Sequence, residues 1–139
     1  LKKDGQQLRP IIEELKARGI RVSLFMNADS EDIELAAALG ADRIELYTEA
    51  YAEAFGTDQQ QALLELFMGA AERARAVGLE VNAGHDLNLD NLGLFATIPG
   101  VAEVSIGHAL IADALLMGLG DAVAAYKTIL VKAGIESTR

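Results

Sequence analysis

Leu79-Glu80-Val81-Asn82-Ala83-Gly84-His85-Asp86-Leu87-Asn88 changes character in its middle. Leu79 to Ala83 puts apolar residues at alternate positions, the pattern of a strand, and Asn88 or Asp90 can start a short helix that Pro99 and Gly100 stop. Gly84 and His85 fall at the junction. Some twenty residues later the event recurs: Val101 to Ile106 reads as a strand, Gly107 and His108 follow, and a helical pattern begins at Ala109. These are the only two histidines of the chain. In parallel α/β proteins the carboxyl end of a strand is where ligands bind. Two Gly-His pairs at two such ends need a joint explanation.

The same alternation runs upstream. Leu8, Ile11, Ile12 and Leu15 have the spacing of an amphipathic helix that Gly19 ends, with Pro10 expected in its first turn. Arg21 to Asn27 is a strand. Asp29 or Ser30 is expected to cap a helix from Ile33 to Leu39, with Glu31 and Asp32 in its first turn. Asp42 to Tyr47 is the next strand, and Thr48 to Thr57 reads as a polar loop. Asp58 is expected to cap a longer helix through Leu63, Leu66, Phe67, Ala70 and Ala74. After His108 come two helical pieces, Ala109–Met117 and Ala122–Lys132, divided by Gly118 to Gly120 with Asp121 as cap.

Strands alternating with helices imply right-handed crossovers and a parallel sheet. Four strands could form a small doubly wound domain or half of an eight-stranded barrel. The strands favour the barrel, because alternate positions are polar: Ser23 and Asn27, Arg43 and Glu45, Glu80 and Asn82, Glu103 and Ser105. A sheet covered on both faces normally carries Val or Ile there. The expected fold is therefore α/β, the second half of a (β/α)8 TIM barrel, with four βα units and an extra helix after the last strand. Residues 1–134 would form that unit and 135–139 a tail. A half-barrel exposes its inner face, so the 139 residues are expected to be a fragment, or the ordered part, of a longer protein.

Composition narrows the function. A chain without cysteine has no disulfide, thiolate zinc site or cysteine nucleophile, and a cytoplasmic location is the simplest expectation. A net charge of -9 argues against nucleic acid as partner. No apolar run approaches the roughly 18 residues of a membrane span. Small phosphorylated ligands remain open, since backbone N–H groups at a helix start hold phosphate without a basic surface.

His85 is the first candidate for chemistry, because an imidazole titrates near neutrality and can give or take a proton. Asn82 and Asp86 could orient its ring. Gly107 and His108 open a helix whose first N–H groups could receive an anion. Glu45 lies between Ile44 and Leu46, where a carboxylate is either functional or paired with a neighbour such as Arg43. Glu80 and Glu103, nearer the strand starts, read as solvated or structural. A divalent metal held by His85, His108, Glu45 and Asp86 is a competing reading, although no local His pair fixes two ligands.

Taken together, Ile20 to Phe25, Asp42 to Thr48 with Tyr51 and Ala52, Val81 to His85, and Ser105 to Ala112 resemble the pyridoxine 5′-phosphate synthase family. The likeness runs in order through essentially the whole chain. It implies a (β/α)8 barrel that condenses 1-deoxy-D-xylulose 5-phosphate with 3-amino-1-hydroxyacetone 1-phosphate, releasing phosphate and water, without metal or organic cofactor, in a homo-octamer. By position, His85 would be the general acid and Glu45 the transition-state carboxylate. Gly107 and His108, with the main chain at Asp86, would hold the amino-ketone phosphate. Some members of that family carry glycine where this chain has Asp86. By the same resemblance, the family's other acid/base groups and its lid would lie outside these 139 residues. The alternatives are a metal-dependent barrel lyase or isomerase, and a catalytically silent half-barrel that serves assembly.

Overall fold

The computed structural model describes residues 1–3 and 5–135, so of the expected tail only Ile135 lies within it. The chain runs α1 (Gly5–Ala17), β1 (Ser23–Met26), α2 (Ile33–Ala38), β2 (Arg43–Tyr47), α3 (Glu49–Ala54), α4 (Gln60–Ala76), β3 (Glu80–Gly84), α5 (Leu92–Phe95), β4 (Val101–Ser105), α6 (His108–Met117) and α7 (Leu119–Lys132).

The four strands pair in parallel in the order β1-β2-β3-β4. That order is consistent with part of a barrel. A doubly wound sheet reverses direction at a switch point and so places helices on both faces. A sheet that steps one way through crossovers of one hand collects its helices on one face. The burial pattern shows that single covered face. Ile44, Leu46, Val81 and Ala83 are fully buried, packed in one cluster with Ile33 and Ala36 of α2, Phe67 and Ala70 of α4, Phe95 of α5 and Tyr126 of α7. Tyr51, Phe67 and Phe95 meet edge to face within it, with ring centroids 5.0 Å apart for Tyr51–Phe95 and 5.4 Å for Phe67–Phe95. Such aromatic pairs add about 0.5–1.5 kcal/mol each beyond area burial.

The opposite face is polar and largely open. Register aligns Ser23, Arg43 and Glu80 at its lower end, then Phe25, Glu45, Asn82 and Glu103, then Tyr47, Gly84 and Ser105 at the top. A bulge between Val81 and Asn82 inserts Ala102 into β4 and keeps Glu103 and Ser105 in these rows. Phe25 is 68% exposed there, although its neighbours Leu24 and Met26 pack toward the helices.

Several local expectations are corrected. Pro10 stands in the second turn of α1, because the helix already begins at Gly5; it lies on the exposed side, where the carbonyl it leaves without an N–H partner meets water. The span read as a loop, Thr48 to Thr57, contains α3, whose Tyr51 and Ala54 are buried while Glu49 and Glu53 face out. Asp58 does not cap α4; the Thr57 hydroxyl accepts from the Gln59 N–H instead. Glu31 and Asp32 precede α2 rather than entering its first turn, and Ser30 Oγ accepts from the Asp32 N–H. Only Gly118 separates α6 from α7, with φ +90°, so Asp121 lies inside the first turn of α7. The Tyr126 hydroxyl of α7 donates to Asp113 of α6 at 2.7 Å, tying the pair together. Burial, then the Asp113 carboxylate, push that phenol well above its ordinary range. No helix among the described residues is long and apolar enough to cross a membrane.

Candidate functional site

Because the strands are parallel and in register, the ends of β2, β3 and β4 lie side by side, with Tyr47, Gly84 and Ser105 in one row. A cleft of about 230 Å³ opens above them, lined by Glu45, His85, Asp86, Leu87, Ser105, Gly107, His108 and Ala109. All five residues singled out from the sequence for chemistry or ligand contact therefore line one cavity, although they span 63 positions of the chain (108 − 45).

The turn after β3 has unusual geometry. His85 has φ +90° and Asp86 φ +56°, the only non-glycine residues with positive φ among those described. Such conformations cost of the order of 1–3 kcal/mol each and persist where the surroundings enforce them. Asp86 occupies the left-handed region, which glycine enters freely and aspartate tolerates better than most residues. The position is thus one where glycine and aspartate are the natural alternatives.

The surroundings do enforce it. The Thr48 N–H donates to the Gly84 carbonyl at 2.9 Å, and the Thr48 hydroxyl donates to the His85 carbonyl. Asn91 Nδ2 donates to the Asp86 carbonyl at 3.0 Å, while Asn91 Oδ1 accepts from the Asn88 N–H at 2.9 Å. The Tyr51 hydroxyl donates to the Asn91 carbonyl at 2.8 Å. Asn88 Oδ1 accepts from the N–H groups of Asp90 and Asn91, so Asn88 organises the entry to α5 as expected. The buried Tyr51 phenol is pushed up to about 12 and remains a donor.

Neither Asn82 nor Asp86 orients the His85 ring as expected. Asn82 Oδ1 accepts from Arg43, and Asp86 Oδ1 stands 3.5 Å from His108 Nε2. The imidazole packs instead on the Tyr47 ring, with centroids 4.3 Å apart, and edge-on to Phe25 at 6.1 Å. The Tyr47 phenol is held above its ordinary range, chiefly by hydrogen bonding to the Glu49 carboxylate. His85 also borders a second, larger cleft lined by Phe25, Asn27, Ser30 and Tyr47, so the ring stands between two open volumes.

Glu45 is half-buried, and no cation lies within ion-pair distance among the described residues. The suggested Arg43–Glu45 pair does not form. Residues two apart on one strand are about 6.6 Å apart, whereas adjacent strands lie roughly 4.8 Å apart. Arg43 therefore reaches across the sheet, donating from Nε to Glu80 and from Nη1 to Glu103 at 2.7 Å and Asn82 at 3.2 Å. Glu80 and Glu103 are structural, in line with the sequence reading. Gly84 leaves room for the Glu45 carboxylate: a Cβ there would sit 2.8 Å from Glu45 Oε1 and 3.0 Å from Ser105 Cβ.

Gly107 precedes α6 without any side-chain cap, so the first N–H groups of this ten-residue helix are free of side-chain acceptors beside the cleft. No group of three or more His, Asp or Glu side chains is gathered as a metal would require among the described residues. Sequence reading missed Thr48, Asn91 and Tyr47. Their only signals were a polar residue directly after a strand, an Asn88-x-x-Asn91 spacing, and an aromatic at a strand end.

A family model described as pyridoxal phosphate biosynthesis protein PdxJ matches residues 1–132. A pyridoxine 5′-phosphate synthase of Albidiferax ferrireducens is 58% identical over 124 residues, covering 88% of this chain and 49% of that protein. Its counterpart in Xanthomonas axonopodis pv. citri is 56% identical over 128 residues, 91% of this chain and 50% of that protein. The chain spans about half the length of the curated relatives it matches. It belongs to the PdxJ family.

Proposed function

From membership of that family, we propose that the chain carries the proton donor and one phosphate site of pyridoxine 5′-phosphate synthesis. The reaction condenses 1-deoxy-D-xylulose 5-phosphate with 3-amino-1-hydroxyacetone 1-phosphate, releasing phosphate and water. The observation that carries the reading is the single cleft shared by Glu45, His85, Asp86, Gly107 and His108.

In this reading His85 gives a proton to each departing hydroxyl, the expulsion of which is uphill without one. Glu45, with no counter-ion among the described residues, stabilises the positive charge that builds on nitrogen and carbon as water leaves. The amino-ketone phosphate rests on the first N–H groups of α6 at Gly107 and His108, where the helix dipole favours an anion. The main chain at Asp86 contributes, and the Asp86 carboxylate is turned to His108 rather than to the phosphate. No metal or organic cofactor enters the steps assigned to these residues. A metal-dependent lyase has less support, since its four candidate ligands are not gathered as a ligand set among the described residues.

Residues 1–134 form, in the same proposal, the second half of a (β/α)8 barrel. Support comes from the one-way strand order, the helices confined to one face and the open polar face opposite them. The remaining acid/base groups and the second substrate site then belong to the other half of the barrel. Homo-octamer assembly follows the family resemblance. The exposed Ile111, Leu115, Leu116 and Leu119 of α6 and α7, at 58%, 83%, 88% and 59%, support a surface covered in the assembled enzyme.

The test is an assay of the protein expressed from its complete reading frame, supplied with both phosphorylated substrates. Formation of pyridoxine 5′-phosphate with release of one phosphate is the expected result. A folded protein that consumes neither substrate would overturn the reading.

A further inference from the structure

We propose that Thr48 and Asn91 are positioning residues that hold the His85–Asp86 turn, fixing both the His85 ring and the direction of the peptide N–H groups beside it. The inference rests on the reading of His85 as proton donor and names what makes it competent.

Three consecutive carbonyls, those of Gly84, His85 and Asp86, are each captured by Thr48 or Asn91. Thr48 is fully buried and Asn91 is 2% exposed, so water cannot substitute for either. The two come from different elements, the end of β2 and the entry to α5, and clamp the turn from two sides. In a planar trans peptide the N–H points opposite to the C=O. With the three carbonyls drawn to the clamp, the N–H groups of His85, Asp86 and Leu87 face away from it, and those three residues line the cleft.

The chemistry demanded at each position is specific. Position 48 must donate through a hydroxyl while its own backbone N–H serves Gly84. Position 91 must donate to Asp86 and accept from Asn88 at once, which a carboxamide does and a carboxylate does not. Losing the Thr48 hydroxyl leaves the part-buried His85 carbonyl without its donor, and the peptide after His85 is then free to rotate. The imidazole would leave its seat on the Tyr47 ring, and the Asp86 N–H would turn from the cleft.

The test uses the protein expressed from its complete reading frame, in the ring-forming assay across pH. Thr48→Val keeps shape and removes the donor; Thr48→Ser keeps the donor; Thr48→Cys weakens it. The expectation for Thr48→Val is a fall in kcat of about tenfold to a hundredfold, as small displacements of a catalytic group produce. The alkaline limb of the pH profile, where the protonated donor is lost, should shift with it, and Thr48→Ser should stay within about threefold of the parent in this donor test. In a His85→Asn background, Thr48→Val should change kcat no further, because its effect on kcat runs through the ring, while the turned N–H groups read in KM. If Thr48→Val does not fold, the order Thr48, Ser, Cys in kcat carries the test.

An equal fall with and without His85, or a Cys variant as fast as the parent, would overturn the clamp while leaving His85 in the mechanism. A His85→Asn variant with the parent's kcat would remove the donor reading itself, and the clamp with it.

Discussion

The two ends of the polar sheet face are built from the same strands and carry similar residues, yet they handle charge in opposite ways. At the lower end a buried Arg43 joins the carboxylate of Glu80 and that of Glu103, one row higher, across three strands. At the upper end Asp86 and Glu45, the latter reaching up from the row it shares with Glu103, line a cleft with no lysine or arginine in its lining among the described residues. Around His85 the backbone also adopts left-handed conformations, and two buried side chains hold it there. The lower end pairs its carboxylates with a guanidinium and has no non-glycine residue at positive φ among those described. The upper end has carboxylates without a lysine or arginine partner among the described residues and a turn under strain, arrangements that lower stability and persist where chemistry needs them. In barrels the carboxyl ends of the strands carry the active site and the amino ends carry stability. The polar face described here divides the same way.

That division can be broken most clearly at Glu45. Glu45→Gln should lower kcat by about a hundredfold, the scale of removing one preorganised electrostatic group. Thermal stability should hold or rise slightly, because no ion pair is lost. A variant that unfolds instead would make Glu45 structural and erase the contrast between the ends.

The complementary change is Arg43→Met. Removing one partner of a fully buried ion pair costs about 3–5 kcal/mol. Glu80 and Glu103 are each more than half exposed and can return to water, so a loss of about 1–2 kcal/mol is expected here. Denaturant unfolding measures it, and kcat should change little. A large fall in kcat with unchanged stability would mean that the lower end is part of the site.

Asp86→Gly sharpens the upper end with the smallest effect. Glycine relieves the φ +56° backbone but loosens the unfolded chain, so net stability should move by under about 1 kcal/mol. Removing a negative charge beside the α6 N-terminus should tighten phosphate-bearing substrate, read as a modest fall in KM. A rise in KM would show that the Asp86–His108 contact serves binding.

How much of this was legible beforehand follows the range of the interactions concerned. The strands showed because their alternation is local, and the polar alternate positions already indicated an uncovered face. The residues now lining the cleft were visible because the chain has two histidines and places both after glycines at strand ends. Helix α3 was not legible, since Glu49 to Ala54 looks polar until Tyr51 is seen packed between Phe67 and Phe95. The preference of Arg43 for Glu80 over Glu45 depends on strand spacing and register, which one strand's sequence does not contain. Thr48 and Asn91 were hidden for a related reason: the Thr48 hydroxyl meets a carbonyl 37 positions away, and Asn91 is seated by Tyr51 from 40 positions away. A polar residue in a connection gives no local sign of such a partner.

The most direct measurement of the central claim is the rate of product formation by His85→Asn in the protein expressed from its complete reading frame, under single-turnover conditions with both substrates saturating. Asparagine tolerates a left-handed backbone, so the fold should be retained. The account predicts a rate about a hundredfold to ten-thousandfold below the parent, with substrate affinity changed little, as loss of a general acid requires. A rate equal to the parent's would remove His85 from the chemistry and contradict the account.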